Sequence, residues 1–349
     1  MRPMSELRTV EWVNGRVRMI DQTRLPERFV YVKLTNYRQV SKAIREMTVR
    51  GAPAIGVAAA MGMALAAHAN RGRSRARVLK QLEIAAETLR SSRPTAQNLF
   101  WAVDRILQRA RNTPPNEDVA ANVVGEAKRM AEEDVQTNLS IGTHGAALIE
   151  DGDQVLTHCN TGTLATVNYG TALAPIRTAI REGKRVRVIA TETRPRLQGA
   201  KLTTYELLSD KIPVTLIVDG AAGYVMRRGM VQRAIVGADR ITTKFVANKV
   251  GTYLIALAAK ANQIPFYVAA PTSTFDLRLG NSDVKIEERD NEEVTHINGI
   301  RVPPRGVPVY NPAFDLTPVE LVSGFITEKG VITPERLAAD RSFSQTLRS

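Results

Sequence analysis

Two residues in this sequence carry side chains that could move protons or attack a carbon, and each follows a short apolar run. Cys159 lies in His158-Cys159-Asn160-Thr161-Gly162-Thr163 after residues 154–157, and Asp239 lies in Gly237-Ala238-Asp239-Arg240 after residues 234–236. Cysteine is among the most buried residue types and commonly serves as a small hydrophobe. A thiol that ends a strand ahead of a Gly-Thr loop opening a helix is a different case, because a helix N-terminus favours the thiolate. Asp239 has small, apolar neighbours, so desolvation would keep it protonated and able to donate a proton; the alternative is an aspartate that caps a turn. Residue type alone leaves both pairs of readings open.

Cations and backbone amides suited to an anion occur elsewhere. Asn248-Lys249 precedes Val250-Gly251-Thr252 and is expected to open the next helix, where a lysine can bind phosphate rather than stand in solvent. Arg50-Gly51-Ala52 stands at the start of an Ala-rich segment, and its small residues let a ligand approach the backbone or simply form a turn. Arg93-Pro94-Thr95 repeats this logic more weakly. GxxxxGK[ST] is absent and no GxGxxG follows a strand, so a nucleotide cofactor has no support. With one cysteine, four histidines and no CxxC or HxxxH pair, neither an intrachain disulfide nor a zinc site is expected. The expectation is an enzyme with no metal and no cofactor.

The elements that must position these groups fall into two parts. Residues 10–13 and 16–20 are β-prone runs around Asn14-Gly15, a pair suited to a type I′ hairpin, and residues 29–33 add a third strand. Helical patterns then cover 37–47, 53–69, 75–91, 95–112 and 117–139. From about residue 150, short β-branched runs at 154–157, 185–190, 214–218, 234–236 and 266–269 alternate with helical stretches, which indicates a parallel sheet. The reading is an α/β protein: a mainly helical N-terminal domain with a small antiparallel sheet over residues 1–125, then a Rossmann-like, mostly parallel domain over 126–349, joined in a long helix. Ligands of open parallel sheets bind outside the carboxyl ends of the strands. Five such ends carry polar residues: 158–163, Thr191-Glu192-Thr193-Arg194, Asp219-Gly220, 237–240 and Pro271-Thr272-Ser273-Thr274.

The chain has 349 residues, 48 Lys and Arg against 35 Asp and Glu, and a formal charge of +13. The cations are scattered and aromatic residues make up only 5%, so stacking on nucleic-acid bases lacks partners and a nucleic-acid role is not expected. Residues 1–8 lack the apolar core of a signal peptide. The apolar run at 52–69 is Ala- and Gly-rich, as suits a close-packed interior helix better than a membrane span. A cytoplasmic protein is expected.

Several stretches are long and in order: RGAPAIG (50–56), SRPTAQNLFWAVDR (92–105), THCNTGTLATVNYGTALAPIR (157–177), ETRPRLQGAKLT (192–203), VGADRI (236–241), NKVGTY (248–253), PTSTFDL (271–277) and NPAFDLTP (311–318). Together they resemble the methylthioribose-1-phosphate isomerase family, from about residue 10 to residue 335. The wider family includes ribose-1,5-bisphosphate isomerases and regulatory subunits of the exchange factor for translation initiation factor 2. The resemblance implies conversion of the aldose 5-methylthioribose 1-phosphate to the ketose 5-methylthioribulose 1-phosphate, in methionine salvage, by a homodimer. It implies Cys159 and Asp239 as the catalytic pair, with Asp239 the proton donor and Cys159 a base or transition-state stabiliser. It implies Arg50, Gly51, Ala52, Arg93, Gln198, Asn248 and Lys249 as the substrate-binding set. Gly220 stands where the family pattern has Asn, and Thr161 where Ala is more usual. Two readings compete: a ribose-1,5-bisphosphate isomerase, and a non-catalytic translation-factor subunit, which would have no need of the Cys159–Asp239 pair.

Overall fold

The computed structural model describes residues 3–94, 96–277 and 286–339. The chain divides into two compact units, one of residues 1–139 with 161–170 and one of residues 140–160 with 171–349. The division falls inside the long helix, at 139/140 rather than at 125/126, and a ten-residue segment after Cys159 returns to the first unit.

In the first unit, β1 (Val10–Val13), β2 (Arg16–Ile20) and β3 (Tyr31–Leu34) form an antiparallel sheet in that order. Asn14 and Gly15, both at positive φ, make the β1–β2 turn. Five helices follow: α1 (Tyr37–Arg45), α2 (Ala52–Ala69), α3 (Arg75–Arg90), α4 (Gln97–Arg111) and α5 (Val119–Ala146). Thr95, the expected start of α4, lies outside the described residues. Helix α2 is long and apolar enough to cross a bilayer, but 78% of it is buried. Its small residues let neighbours come close: a Cβ on Gly62 would stand 3.1–3.2 Å from Leu89 and Val40, and one on Gly56 3.0 Å from the Asn98 carbonyl. Residues 161–170 are tied in by polar bonds. Thr9 N donates to Val167 O (2.9 Å), Thr9 Oγ1 to Thr163 O (2.6 Å), and Gln22 Nε2 to Leu164 O (2.7 Å).

Among the described residues of the second unit, the order is β4 (Gln154–Thr157), α6 (Leu173–Arg181), β5 (Arg187–Thr191), α7 (Thr204–Ser209), β6 (Val214–Ile217), α8 (Ala222–Arg227), β7 (Arg233–Val236), β8 (Arg240–Ile241), β9 (Phe245–Lys249), α9 (Thr252–Ala261), β10 (Phe266–Ala269), α10 (Glu292–Thr295), β11 (His296–Ile297), β12 (Ile300–Arg301), β13 (Phe314–Pro318), β14 (Gly324–Thr327), β15 (Gly330–Ile332) and α11 (Pro334–Ala339). The main sheet runs β15-β14-β10-β7-β4-β5-β6 and is parallel except for β15. Alternate strand residues serve opposite faces. Leu156, Ile189, Ala234 and Val236 pack with α8 and α9, while Val155, Val188 and Ile235 pack with α6 and the end of α5. The chain leaves β4 toward β5 and β6, then returns to place β7 on the other side of β4. The strand order therefore reverses between β4 and β7, the arrangement that opens a crevice at the carboxyl ends.

Two local expectations are corrected. Asn248 and Lys249 do not open a helix; they end strand β9, which pairs antiparallel with β8 and β13, and α9 begins only at Thr252. The partner β13 lies over sixty residues away in sequence, so no local pattern announces the pairing. Nor does the thiol sit at a helix N-terminus. After Asn160 the chain passes through the first unit's segment, with one short 3-10 turn at Thr163–Ala165, and α6 starts at Leu173.

Candidate active site

Cys159 lies just past the end of β4, is 7% exposed, and has φ +63°. A non-glycine residue in this left-handed region costs about 1–2 kcal/mol, so its surroundings must hold it there. Its N–H donates to Thr193 Oγ1 (2.9 Å), and its carbonyl accepts from Thr203 Oγ1 (2.5 Å). Next to it, Asn160 Nδ2 donates to Glu206 Oε1 (2.8 Å) and Thr203 Oγ1 (3.2 Å). Glu206 is completely buried and is balanced by Arg177, which also holds Asp210 at 2.6 Å. Burying these charges is tolerable because each is paired.

On the other side, His158 is buried between two oxygens, Thr191 Oγ1 at 2.6 Å from Nδ1 and Val250 O at 2.9 Å from Nε2. A carbonyl only accepts, so Nε2 carries the proton and Nδ1 accepts from the threonine. Burial pushes the imidazole pKa down, with Lys249 adding to the effect and Val250 O and Asp219 opposing it. The ring is therefore neutral. It ties the Cys159 loop to the turn after Lys249, where Gly251 at φ +106° leaves room for it; a Cβ there would lie 3.0 Å from the ring.

The β5 loop closes the same end of the sheet. Thr193 and Leu197 also have positive φ, and the Asp219 carboxylate accepts from the amides of Thr193 and Arg194, both at 2.7 Å. Strained residues at one location are a common mark of a functional site. Gln198 is buried, and its Oε1 has no hydrogen-bond partner within the protein. Such an orphan acceptor needs an explanation, and a bound ligand's hydroxyl supplies one. A Cβ on the following Gly199 would lie 1.8 Å from Thr191 O, so only glycine fits the turn.

The three-stranded sheet β13-β9-β8 carries the remaining groups. Asp239, half-buried, donates its N–H to Ala247 O (3.0 Å). Arg240 pairs with Ala247 and Asn248 with Asp315, so Asp239, Asn248 and Asp315 fall on one row across the sheet. Asp315 accepts from Gly251 N (2.7 Å) and Tyr253 N (3.2 Å) at the start of α9. Burial pushes its pKa up to about 6 against these amides and the Lys249 charge. Asn248 Nδ2 donates to Thr252 Oγ1 (2.9 Å). Lys249 is buried, donates to Ala313 O (2.7 Å), and stands 4.7 Å from the Phe314 ring centre.

The structure thus gathers Cys159, Gln198, Asp239, Asn248 and Lys249 at the carboxyl ends of the second unit's strands and the sheet beside them. The other expected residues belong to the first unit. Arg50 is buried, Gly51 is the N-cap of α2 at φ +91° with no side chain capping the helix, and Ala52 is its first residue. A Cβ on Gly51 would lie 2.4 Å from Ala165 O. Arg93 is half-buried in the turn before α4. Sequence reading missed Thr203, Glu206 and Asp315. Glu206 was signalled only as a lone acid among apolar residues of α7, and Asp315 only as a carboxylate within NPAFDLTP. Among the described residues, no group of three or more His, Cys, Asp or Glu is placed to hold a metal ion.

Residues 48–334 match the model of the initiation factor 2 subunit family. The chain belongs to the initiation factor 2 subunit family. Within it, the resemblance to methylthioribose-1-phosphate isomerases holds over nearly the whole chain. The protein of that name from Geobacter metallireducens is 52% identical over 335 residues, 95% of this chain and 97% of the relative. That from Thermotoga neapolitana is 51% identical over 329 residues, 94% of this chain and 95% of the relative. Among solved structures, 5-methylthioribose 1-phosphate isomerase from Pyrococcus horikoshii superposes with a TM-score of 0.91 at 43% identity, covering 97% of this chain and 96% of that one. Translation initiation factor eIF-2B subunit delta from A. fulgidus superposes with a TM-score of 0.89 at 46% identity, covering 99% and 100%. The family's fold is that of this chain: a helical N-terminal part followed by a mostly parallel sheet.

Proposed function

We propose that this protein is a methylthioribose-1-phosphate isomerase, with Cys159 and Asp239 as its catalytic pair. The observation that carries the assignment of the pair is topological. The two residues follow β4 and β7, adjacent parallel strands on either side of the point where strand order reverses. The substrate's anomeric oxygen carries phosphate, so the sugar cannot open to a free aldehyde. An acid must protonate the ring oxygen as its bond to C1 breaks, hydrogen must pass from C2 to C1, and the C2 hydroxyl must lose its proton to become the carbonyl. Asp239 is the acid. Cys159 either carries a proton from C2 to C1 or stabilises a hydride passing between them. Isomerisation in deuterium oxide separates these routes, since proton transfer puts deuterium on C1 and hydride transfer does not.

Arg50 and Arg93, the amides at Gly51 and Ala52, and Gln198, Asn248 and Lys249 are the proposed substrate ligands. The buried, unpartnered Gln198 Oε1 supports its part in this set. NMR of 5-methylthioribose 1-phosphate incubated with the protein tests the function, with ribose 1,5-bisphosphate run beside it. The expected result is the ketose from the first substrate; turnover of the bisphosphate alone would transfer the assignment to that isomerase. The likeness to the A. fulgidus protein supports a second reading, a translation-factor subunit. It predicts no turnover of either sugar and a co-purifying initiation factor.

A cytoplasmic homodimer is proposed as well. Strand β6 is an edge of the main sheet and exposes Leu216 (48%), and α8 and α9, which pack together, expose Tyr224 (63%) and Leu254 (69%). Large apolar side chains left exposed in this way are usual where subunits meet. Light scattering at micromolar concentration should give twice the chain mass, and cell fractionation should place the protein with soluble cytoplasmic markers; a monomer or a membrane fraction would refute the respective part.

A further inference from the structure

We propose that Thr193 and Thr203 are positioning residues that clamp the two peptides flanking the Cys159 Cα and so aim the thiol. The proposal rests on the catalytic reading of Cys159. At φ +63°, Cys159 does not hold its conformation by intrinsic preference. Its amide is fixed by one threonine hydroxyl, 2.9 Å away, and its carbonyl by another at 2.5 Å. These two threonines are completely buried, so water does not replace either bond.

Each hydroxyl is itself oriented by a separate chain of bonds. Thr203 Oγ1 gives its proton to the Cys159 carbonyl and accepts from Asn160 Nδ2, which also donates to Glu206. Arg177 pairs with Glu206 at 2.9 Å and holds it still. On the amide side, Thr193 Oγ1 accepts from Cys159 and has both oxygens of Thr191 within reach of its own proton, the carbonyl at 3.3 Å and Oγ1 at 3.4 Å. The Thr191 hydroxyl is turned toward His158 Nδ1, because Nε2 is committed to Val250 O. Both chains end on the same residue, one on the peptide before its Cα and the other on the peptide after it. A reacting group displaced by a fraction of an ångström loses much of its rate, which gives this convergence a purpose that packing alone does not.

Thr193→Val and Thr203→Val remove each hydroxyl at nearly constant volume, and Thr193→Ser and Thr203→Ser restore it. The expected result is a fall in kcat of about tenfold to a hundredfold in each valine variant, KM within about twofold, and recovery in the serine variants. Cys159 is the only cysteine, so iodoacetamide labelling reads its thiol directly; its rate should change at least threefold in the valine variants and return in the serine ones. Should Thr203→Val not fold, Thr193→Val carries the same test from the amide side. Loss of thermal stability with unchanged kcat and unchanged labelling would overturn the clamp. Cys159→Ser measured alongside separates the two claims. Full turnover in that variant sinks the catalytic reading and with it the purpose of the clamp, whereas its inactivity beside fully active valine variants sinks the clamp alone.

Discussion

The surroundings of α2 and the carboxyl ends of β4 and β5 are both deeply buried, yet they are built in opposite ways. From Ala54 to Ala67, α2 buries only apolar residues and glycine, packed against Val40, Leu82, Leu89 and Leu99. At the strand ends lie the buried His158, Asn160, Thr191, Thr193, Thr203 and Glu206, each with a polar partner, beside Thr157 Oγ1 and Gln198 Oε1, which have none within the protein. The first arrangement is stabilised by area removed from water, which is non-directional. The second is held by directional bonds whose loss leaves a buried group unsatisfied. It holds three positive-φ residues, Cys159, Thr193 and Leu197, in conformations that apolar packing would release. The difference sets the proposed site apart: its groups are aimed by directional bonds, whereas the core around α2 is only filled.

This contrast can be broken by substitution. The largest effect is expected from Cys159→Ser and Asp239→Asn, each lowering kcat by a factor of about a thousand or more, with melting temperatures near that of the parent. Steady-state kinetics and calorimetry together check this, and near-parental turnover in either variant refutes its role. Next, Glu206→Ala leaves Arg177 beside Asp210 alone and is expected to destabilise by about 3–5 kcal/mol, with kcat falling in the material that stays folded. Leu82→Ala, in the core around α2, should destabilise by about 3 kcal/mol with kcat unchanged below the melting transition. If urea titration and kinetics show that Leu82→Ala impairs turnover as strongly as Glu206→Ala, the contrast between the regions fails.

The smallest effect concerns pH. Asp315 titrates near pH 6 in the folded protein, above the ordinary range of an unfolded aspartate. Folding therefore binds its proton, and the associated stability is fully present below about pH 4 and lost as pH rises through 6. Asp315→Asn should remove this slope, on the order of 1–2 kcal/mol after allowing for screening. Denaturation curves of both proteins between pH 4 and 7 read the difference, and parallel curves would contradict it.

Much of this arrangement was legible because it is local. The Asn14-Gly15 turn, the bounds of β1, β2, β4 and β10, the buried course of α2 and the polar strand ends all follow from turn chemistry and periodicity, which act over a few residues. The long motifs likewise point to the family by sequence alone. Pairing across the chain was not legible. Lys249 read as a helix start because nothing near it announces β13, and β14 and β15 went unread for the same reason.

Residue types and order by themselves determined a helical N-terminal part followed in sequence by a parallel α/β sheet, with Cys159 and Asp239 at strand ends. Only the tertiary structure decided that β7 lies beside β4, that Asp239, Asn248 and Asp315 share a row, and that Cys159 takes a left-handed conformation. Each of these depends on hydrogen bonds between residues far apart in sequence. Their free energy exists only once the intervening chain has closed, so no local pattern can carry it.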